Sequence, residues 1–357
     1  MSNHNKEKGI MTLAFLMIAG LFLLGLALII TTGTVVGLKK NVNTKSGNQS
    51  FYTAEAAARE GVYQYAKNDK ESGNFSLLTN EIPPSSISFS VLPSPRGWAY
   101  KEVWGDAENN ITHRKVNNTL LLFPGGQAFD YAVYSENNLT IKGSANIIGN
   151  IFSNNLISCI GNNVSIEGGA YSDGPIDDNC DDNVESINES ANFIPAPDID
   201  PFYYGDPSYG GIADCTSTAA DVKNDCLSGP TTGVVFVDDP GEQATLNNIN
   251  LTGNLTIIGD LNIGGGSVIN ASNDYAAIVV DGNLKVTGNN TINGLVYVSG
   301  NTTFGSGNTT INGSLISKGG TETNIAGNVT IDYQSLSGPP GGIDPSGTPE
   351  IINWNEE

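Results

Sequence analysis

Hydrophobic positions along this chain follow three successive patterns. From Ile10 to Leu38 every residue is uncharged, 29 in a row. A membrane helix needs about 20 such residues, and the apolar part of a cleaved secretory signal has about 7–15. The run therefore predicts a long N-terminal membrane-spanning helix and a cell-membrane, single-pass location. The next pattern has helical spacing. Phe51, Ala54, Ala58, Val62 and Tyr65 recur at steps of three and four and form one stripe, while Glu55 precedes Arg59 by four, the favourable order. Past residue 85 the spacing changes to that of strands. "SISFSVL", "WAYKEVWG" and "ITHRKVNNTLLLF" predict a small antiparallel sheet, with Pro93, Pro95 and Gly97 marking a turn. "EIINWNEE", near the C-terminal end, also has strand-like residues, set apart from these strands by "SGPPGGIDPSGTP".

The largest part of the chain is a repeat. "IIGNIFS" (147–153) returns as "IEGGAYS" (166–172), and "TINGLVYVSG" (291–300) returns as "TINGSLISKG" (310–319). Both offsets are 19 residues. Each unit is a short alternating run followed by Ser and a small or polar pair, and "NLTIIG", "NLKVTG" and "NVTIDY" supply more strands of the same kind. No unit can bury its own apolar face, so units must stack. A β-sandwich explains alternating strands but not returns at a fixed interval. The fold class expected is mainly β, ending in a parallel β-helix (β-solenoid) of ~19-residue coils. Residues 129–175 and 231–336 would supply roughly seven or eight coils, or about 35 Å of stack. The organisation that follows is a leader over 1–9, transmembrane and amphipathic helix over 10–70, and the small sheet over 71–124. The solenoid covers 125–337 with a loop insertion at 176–230, and a Pro/Gly-rich tail over 338–357 holds the final strand.

Charge narrows the partners. Residues 1–60 carry six Lys or Arg and three acids, and the rest carries ten bases against 34 acids, which gives the net −21. After residue 120 the bases are Lys142, Lys223, Lys285 and Lys318 alone, a composition unsuited to nucleic acid or anionic membrane. Lysines flank both sides of the apolar run, so charge does not fix its orientation. The four cysteines, Cys159, Cys180, Cys215 and Cys226, lack the Cys-x-x-Cys spacing or neighbouring His of a zinc site. They are read as disulfides formed in an extracytoplasmic space, with three connectivities open. Cys215 with Cys226 and Cys159 with Cys180 are the candidate pairs.

Two stretches at the N-terminal end resemble a known family. "KEKGIMTLAF" places Lys8 and Gly9 directly before Ile10 and the apolar run, and is similar to the leader of type IV prepilins. "FYTAEAAAREG" resembles the helix segment of PilX-type pilus assembly proteins, matching it at Phe51, Ala54, Glu55, Ala56, Arg59, Glu60 and Gly61. The resemblance covers roughly the first 70 residues. It implies cleavage between Gly9 and Ile10 by a prepilin peptidase, a rod continuing from membrane to globular part, and other pilins or minor pilins as partners of the helix. It also suggests that a final strand carrying Trp354 returns to the small sheet. Major pilins carry Glu at the fifth mature position, where this chain has Ala14, which points to a minor component.

Candidate chemistry is sparse. His4 and His113 are the sole histidines, which argues against Ser/His/Asp or Cys/His catalysis. The Asp-rich runs (Asp177, Asp178, Asp181 and Asp182; Asp238 and Asp239) could pair carboxylates for glycoside hydrolysis or hold Ca²⁺. They lie in turns, without a basic clamp or an EF-hand spacing. Phe202, Tyr203, Tyr204 and Tyr209 form either an adhesive surface or a cover for the solenoid. The expectation is a non-enzyme without cofactor or resident metal. It would be a structural, minor-pilin-like component of a type IV pilus or related filament, displayed at the cell surface, with an unidentified surface ligand. A membrane-anchored adhesin outside any filament is the alternative, followed by a surface polysaccharide-cleaving enzyme.

Overall fold

The structure is a computed structural model. It describes residues 38–65, 71–74, 86–94, 97–108, 113–121, 126–161, 163–205, 211–272, 276–336, 340–343 and 350–356. Residues 38–65 form one helix. Five strands make an antiparallel-type sheet in the order Ser72–Asn74, Ser86–Ser94, Gly97–Glu108, His113–Leu121 and Glu350–Glu356. Ser72 pairs Ser90 and Asn74 pairs Ser88 in the antiparallel sense.

One component of the expected fold is corrected here. Among the described residues no helix is long and apolar enough to cross a membrane. The helix at 38–65 carries Lys39, Lys40, Lys45, Glu55, Arg59 and Glu60, and each such charge is costly in hydrocarbon. Apart from Leu38, the apolar run on which the span was predicted lies outside the described residues. The single-pass membrane location has no support in this structure. The fold is mainly β: a small antiparallel sheet with one packed helix, and a parallel β-solenoid.

The solenoid has three faces, each a ladder of parallel strands. Face A is read from residues 230–232 through 250–252, 268–270, 291–293, 310–312 and 330–332 to 146–148 and 165–167. On face B the register runs Cys215, Val235, Leu255, Ile278, Val296 and Leu315, and continues with Val133, Ile151, Ala170 and Ile187. Face C aligns 244–246, 261–263, 284–286, 302–304 and 323–325 with 139–141 and 157–159. Ten levels on face B make nine steps, about 43 Å at ~4.8 Å per step.

The stacking order is not the chain order. Leu315 neighbours Val133, and Ile331 neighbours Ile147, so the N-terminal block continues the stack where the C-terminal block ends. The level between them is composite. Asn328–Asp332 supplies its face A, while Val133–Ser135 and Asn138–Lys142 supply faces B and C.

The core is built from one inward residue per strand on face A and two on most strands of faces B and C. Ile269, Ile292, Ile311, Ile331 and Ile147 form one column, all at 0% exposure. The turn between faces A and B uses stacked glycines. Gly294 and Gly313 have φ of +127° and +155°, and a Cβ on Gly313 would collide with the Gly294 carbonyl. Only glycine fits there.

Discontinuous stacking gives the insertion its task. Val184–Asn188 lies at one end of the stack and Cys215–Ser217 at the other. The segment between them runs along the outside of face B like a strap. Tyr134 Oη donates to Ile194 O at 2.8 Å, Tyr297 Oη donates to Pro197 O at 3.0 Å, and Lys318 Nζ meets Asp198 Oδ1 at 2.6 Å. Phe202 then reaches Phe236, and Asp214 Oδ2 accepts from Val234 N at 2.8 Å. Face B is accordingly apolar on its outer side too. Phe236, Val279, Tyr297, Ile316, Tyr134 and Phe152 are buried with Ile194, Ile199 and Tyr204 in a second core. Burial raises the Tyr134 and Tyr297 phenols well above the ordinary tyrosine value.

Each end of the stack has a stapled cap. At one end Cys180, in the 3-10 turn Asp178–Asn183, bonds to Cys159 on face C. At the other, Cys215 bonds to Cys226, at the end of the short helix Val222–Asp225. Ala219, Val222 and Leu227 from that second cap join the main core.

Candidate functional site

The helix motif at 51–61 works by smallness. Ala54, Ala57, Ala58 and Gly61 are buried, with Ser50 and Thr53 beside them. Opposite them stands Gly105, where a Cβ would collide with the Ala54 carbonyl and the Ala58 backbone nitrogen. A Cβ on Gly61 would lie 2.7 Å from Val103 and 2.9 Å from Phe89. Helix and sheet thus meet nearly backbone to backbone, and Ala54, Ala58, Ala107 and Val116 form a small core with Phe51 against it. Val62 and Tyr65, part of the stripe predicted from hydrophobicity, are only half-buried.

The polar members of the motif face outward. Arg59 donates to Glu55 at 2.8 Å, and Gln64 donates to Glu60 at 2.7 Å. Arg59 is 68% exposed, so that ion pair contributes little to stability. Ala56 is half-buried. Residues 38–45 are exposed on every side of the helix, including Leu38 at 60% and Val42 at 52%. Lys8, Gly9 and Ile10, the leader positions, lie outside the described residues.

The aromatics and acids of the insertion divide by role. Tyr204 is buried and donates to Gly341 O at 2.9 Å, whereas Phe202 and Tyr203 are exposed on the strap. Tyr209 lies outside the described residues. Asp177 caps a turn, accepting from Asn179 N and from Ser158 Oγ, each at 3.1 Å. Asp239 accepts from Ala219 N at 3.1 Å. These carboxylates hold backbone and hydroxyl donors rather than facing one another across a cleft. Among the described residues no group of three or more His, Cys, Asp or Glu is arranged to hold a metal ion.

Face C carries a polar feature that no motif announced. Its outward side chains include Gln243 and Asp260 on adjacent levels, then Asn283 with Lys285, then Asn301 with Thr303. They line an open groove of about 420 Å³. Asp260 Oδ1 accepts from Asn283 N at 2.8 Å and from its side-chain nitrogen at 3.0 Å. Asn283 Oδ1 accepts from Asn301 N at 2.9 Å, and Asn301 Oδ1 from Thr321 N at 2.7 Å. Each level therefore fixes the next. The signal in the sequence is the recurrence of Asp or Asn at 260, 283 and 301, directly before the inward residue of each face C strand, Leu261, Leu284 and Thr302, visible once the coils are aligned.

Comparisons with known proteins find only distant similarity. A family model described as Domain of unknown function (DUF8470) matches residues 269–328. That span lies inside the solenoid and is well under half of the chain. No PilX-type family model matches, so that assignment has no support from the comparison. No curated protein matches. Among solved structures, an ice-binding protein from an Antarctic biological consortium is 13% identical, with TM-score 0.34, covering 58% of this chain and 89% of that one. The DUF3494 domain of Shewanella frigidimarina ice-binding protein 1 is 15% identical, with TM-score 0.34 and coverage of 60% and 98%. The competence-associated pilin ComZ of Thermus thermophilus is 10% identical, with TM-score 0.29 and coverage of 86% and 97%. The chain is weakly similar to a pilin and to ice-binding proteins, at a level that carries no functional argument.

Proposed function

We propose that the chain is a structural, non-enzymatic component of a pilin-like surface filament, which its helix joins by packing against other pilins or minor pilins. The observation that carries this reading is the contrast along the helix. Residues 50–61 bury a small-residue stripe on their own sheet, while residues 38–45 are exposed, Leu38 and Val42 among them. A helix without a packed face is marginal by itself, and the two apolar side chains fit burial against neighbouring helices. The similarity of 51–61 to the PilX-type segment and of residues 6–15 to a prepilin leader supports the same role. Two disulfides suit assembly in an oxidising compartment. The net −21 disfavours nucleic acid as a partner.

The test is a sheared-filament preparation from cells making the chain. The protein should be present in it with Ile10 as its first residue. The exposed double substitution Leu38→Asp with Val42→Asp should leave the purified protein's melting curve unchanged and remove it from the filament fraction. A double variant found in filaments at the parent level would end this reading. A parent chain absent from the fraction would favour a surface protein that stays outside filaments.

A further inference from the structure

We propose that the groove on face C binds a neutral polysaccharide strand lying along the solenoid axis, roughly one sugar ring per coil. This goes beyond the filament role and does not depend on it. Face B is covered by the strap and lined outside by buried aromatics and aliphatics. Face C differs in chemistry. Its central outward column runs Thr245, Asn262, Lys285, Thr303, Asn324 and Thr140 before reaching Ser158, without one apolar residue. That is six steps, or about 29 Å of polar track.

The groove occupies the part of this track where side chains are held in place. Asp260, Asn283 and Asn301 are each fixed by a backbone N–H of the following level, so little ordering remains to be done when a ligand arrives. Lys285 is exposed and has no ion pair among the described residues. Next to it in the column, Asn262 Oδ1 is buried with no hydrogen-bond partner. Buried acceptors are almost always satisfied, so this amide has unused capacity beside the groove.

The ligand class follows by elimination. A peptide that adds as a strand needs a sheet edge, and the edges of this stack lie at its capped ends, not on face C. The net −21 repels polyanions. The apolar residues of the groove, Leu261 and Leu284, are buried in the core, and no aromatic ring lines it, so an apolar ligand gains little. What fits is an uncharged chain that offers hydroxyl donors and acceptors at each level.

The experiment is calorimetric titration of the purified full chain with cellohexaose, xylohexaose and chitohexaose, with the matching disaccharides and heparin alongside. At least one neutral hexamer should bind saturably, its disaccharide at least about tenfold more weakly. Lys285→Ala with Thr303→Tyr should weaken that hexamer by about tenfold or more, with the melting curve unchanged. Glu167→Gln, exposed on face A and off the track, should bind like the parent. The proposal is overturned if none of the three hexamers binds. It is equally overturned if heparin binds more tightly than all of them, or if the groove variant binds as the parent does. Because no filament is present, failure here leaves the assembly reading standing, and loss from sheared filaments leaves this one standing.

Discussion

Ile331 and Ile147 are 184 positions apart in the chain, yet they should be energetically coupled. Both are fully buried, and the register places them side by side on consecutive levels of face A. Truncating either one to Ala should cost about 2–5 kcal/mol, since each leaves a cavity in a stack that cannot collapse laterally. In a quasi-one-dimensional stack the interaction is mostly between nearest levels. The second truncation therefore removes contacts that the first has already lost. The double variant should be less damaged than the sum by about 0.5–3 kcal/mol, the usual range for side chains in contact. Ile269 provides the control. It lies in the same column but four steps from Ile147, about 19 Å away, so Ile269→Ala with Ile147→Ala should be additive within about 0.5 kcal/mol. The assay is urea unfolding of the disulfide-intact full chain, followed by fluorescence and circular dichroism. Additivity of Ile331→Ala with Ile147→Ala would refute the composite level, and so would equal coupling in the control pair.

Two further outcomes are expected. Gly105→Val should push the helix off its sheet and cost about 1–3 kcal/mol or more, because the blocking atoms are backbone. Hydrogen exchange should then show lost protection in residues 50–61 while the solenoid amides stay protected, and unchanged helix protection would contradict the close approach. Glu136, beside the strap, has its carboxyl raised chiefly by burial, with Lys318 and the Ala196 N–H pulling the other way. The folded state thus holds that proton more tightly than the unfolded chain. The resulting stability is fully present below the ordinary glutamate value and is lost as pH rises through the raised one. Glu136→Gln should melt above the parent at pH 7 and lose that advantage by pH 4, and a variant melting lower at neutral pH would reverse the sign.

The solenoid was legible because its evidence is local. "TINGLVYVSG" and "TINGSLISKG" repeat, and Ile292 and Ile311 stack as that repeat requires. The order of stacking was not legible. Every level offers the same kind of aliphatic inward column, so nothing in the pattern around Leu315 prefers Val133 over any other neighbour. The choice is made by the strap and by where the chain enters the stack, both long-range. For the same reason residues 176–230 read as a loop, although 189–205 and 211–214 lie along face B of the solenoid. On the helix, hydrophobicity selected the half-buried Val62 and Tyr65 and passed over the buried Ala57 and Gly61, the latter held close to Val103 and Phe89. A scale that scores apolar character cannot see a requirement for absent side chains. The membrane-spanning expectation rested on residues other than those of the described helix, whose charges set it apart. The groove escaped notice because its residues are 18–23 positions apart and unremarkable singly.

The closed ends of the solenoid have a consequence for crowding. A stack of parallel strands is a template at both ends, since its last level leaves N–H and C=O groups pointing along the axis. Here one end is occupied by Val222 and Leu227 behind a disulfide, and its outermost face A strand begins with Pro230, which has no N–H to offer. The same coil bulges between Asp238 and Gln243, through Asp239, Pro240 and Glu242. The opposite end finishes in Val184–Asn188, with Glu185 exposed. Each end therefore carries features that work against one copy adding to another strand by strand when copies are crowded.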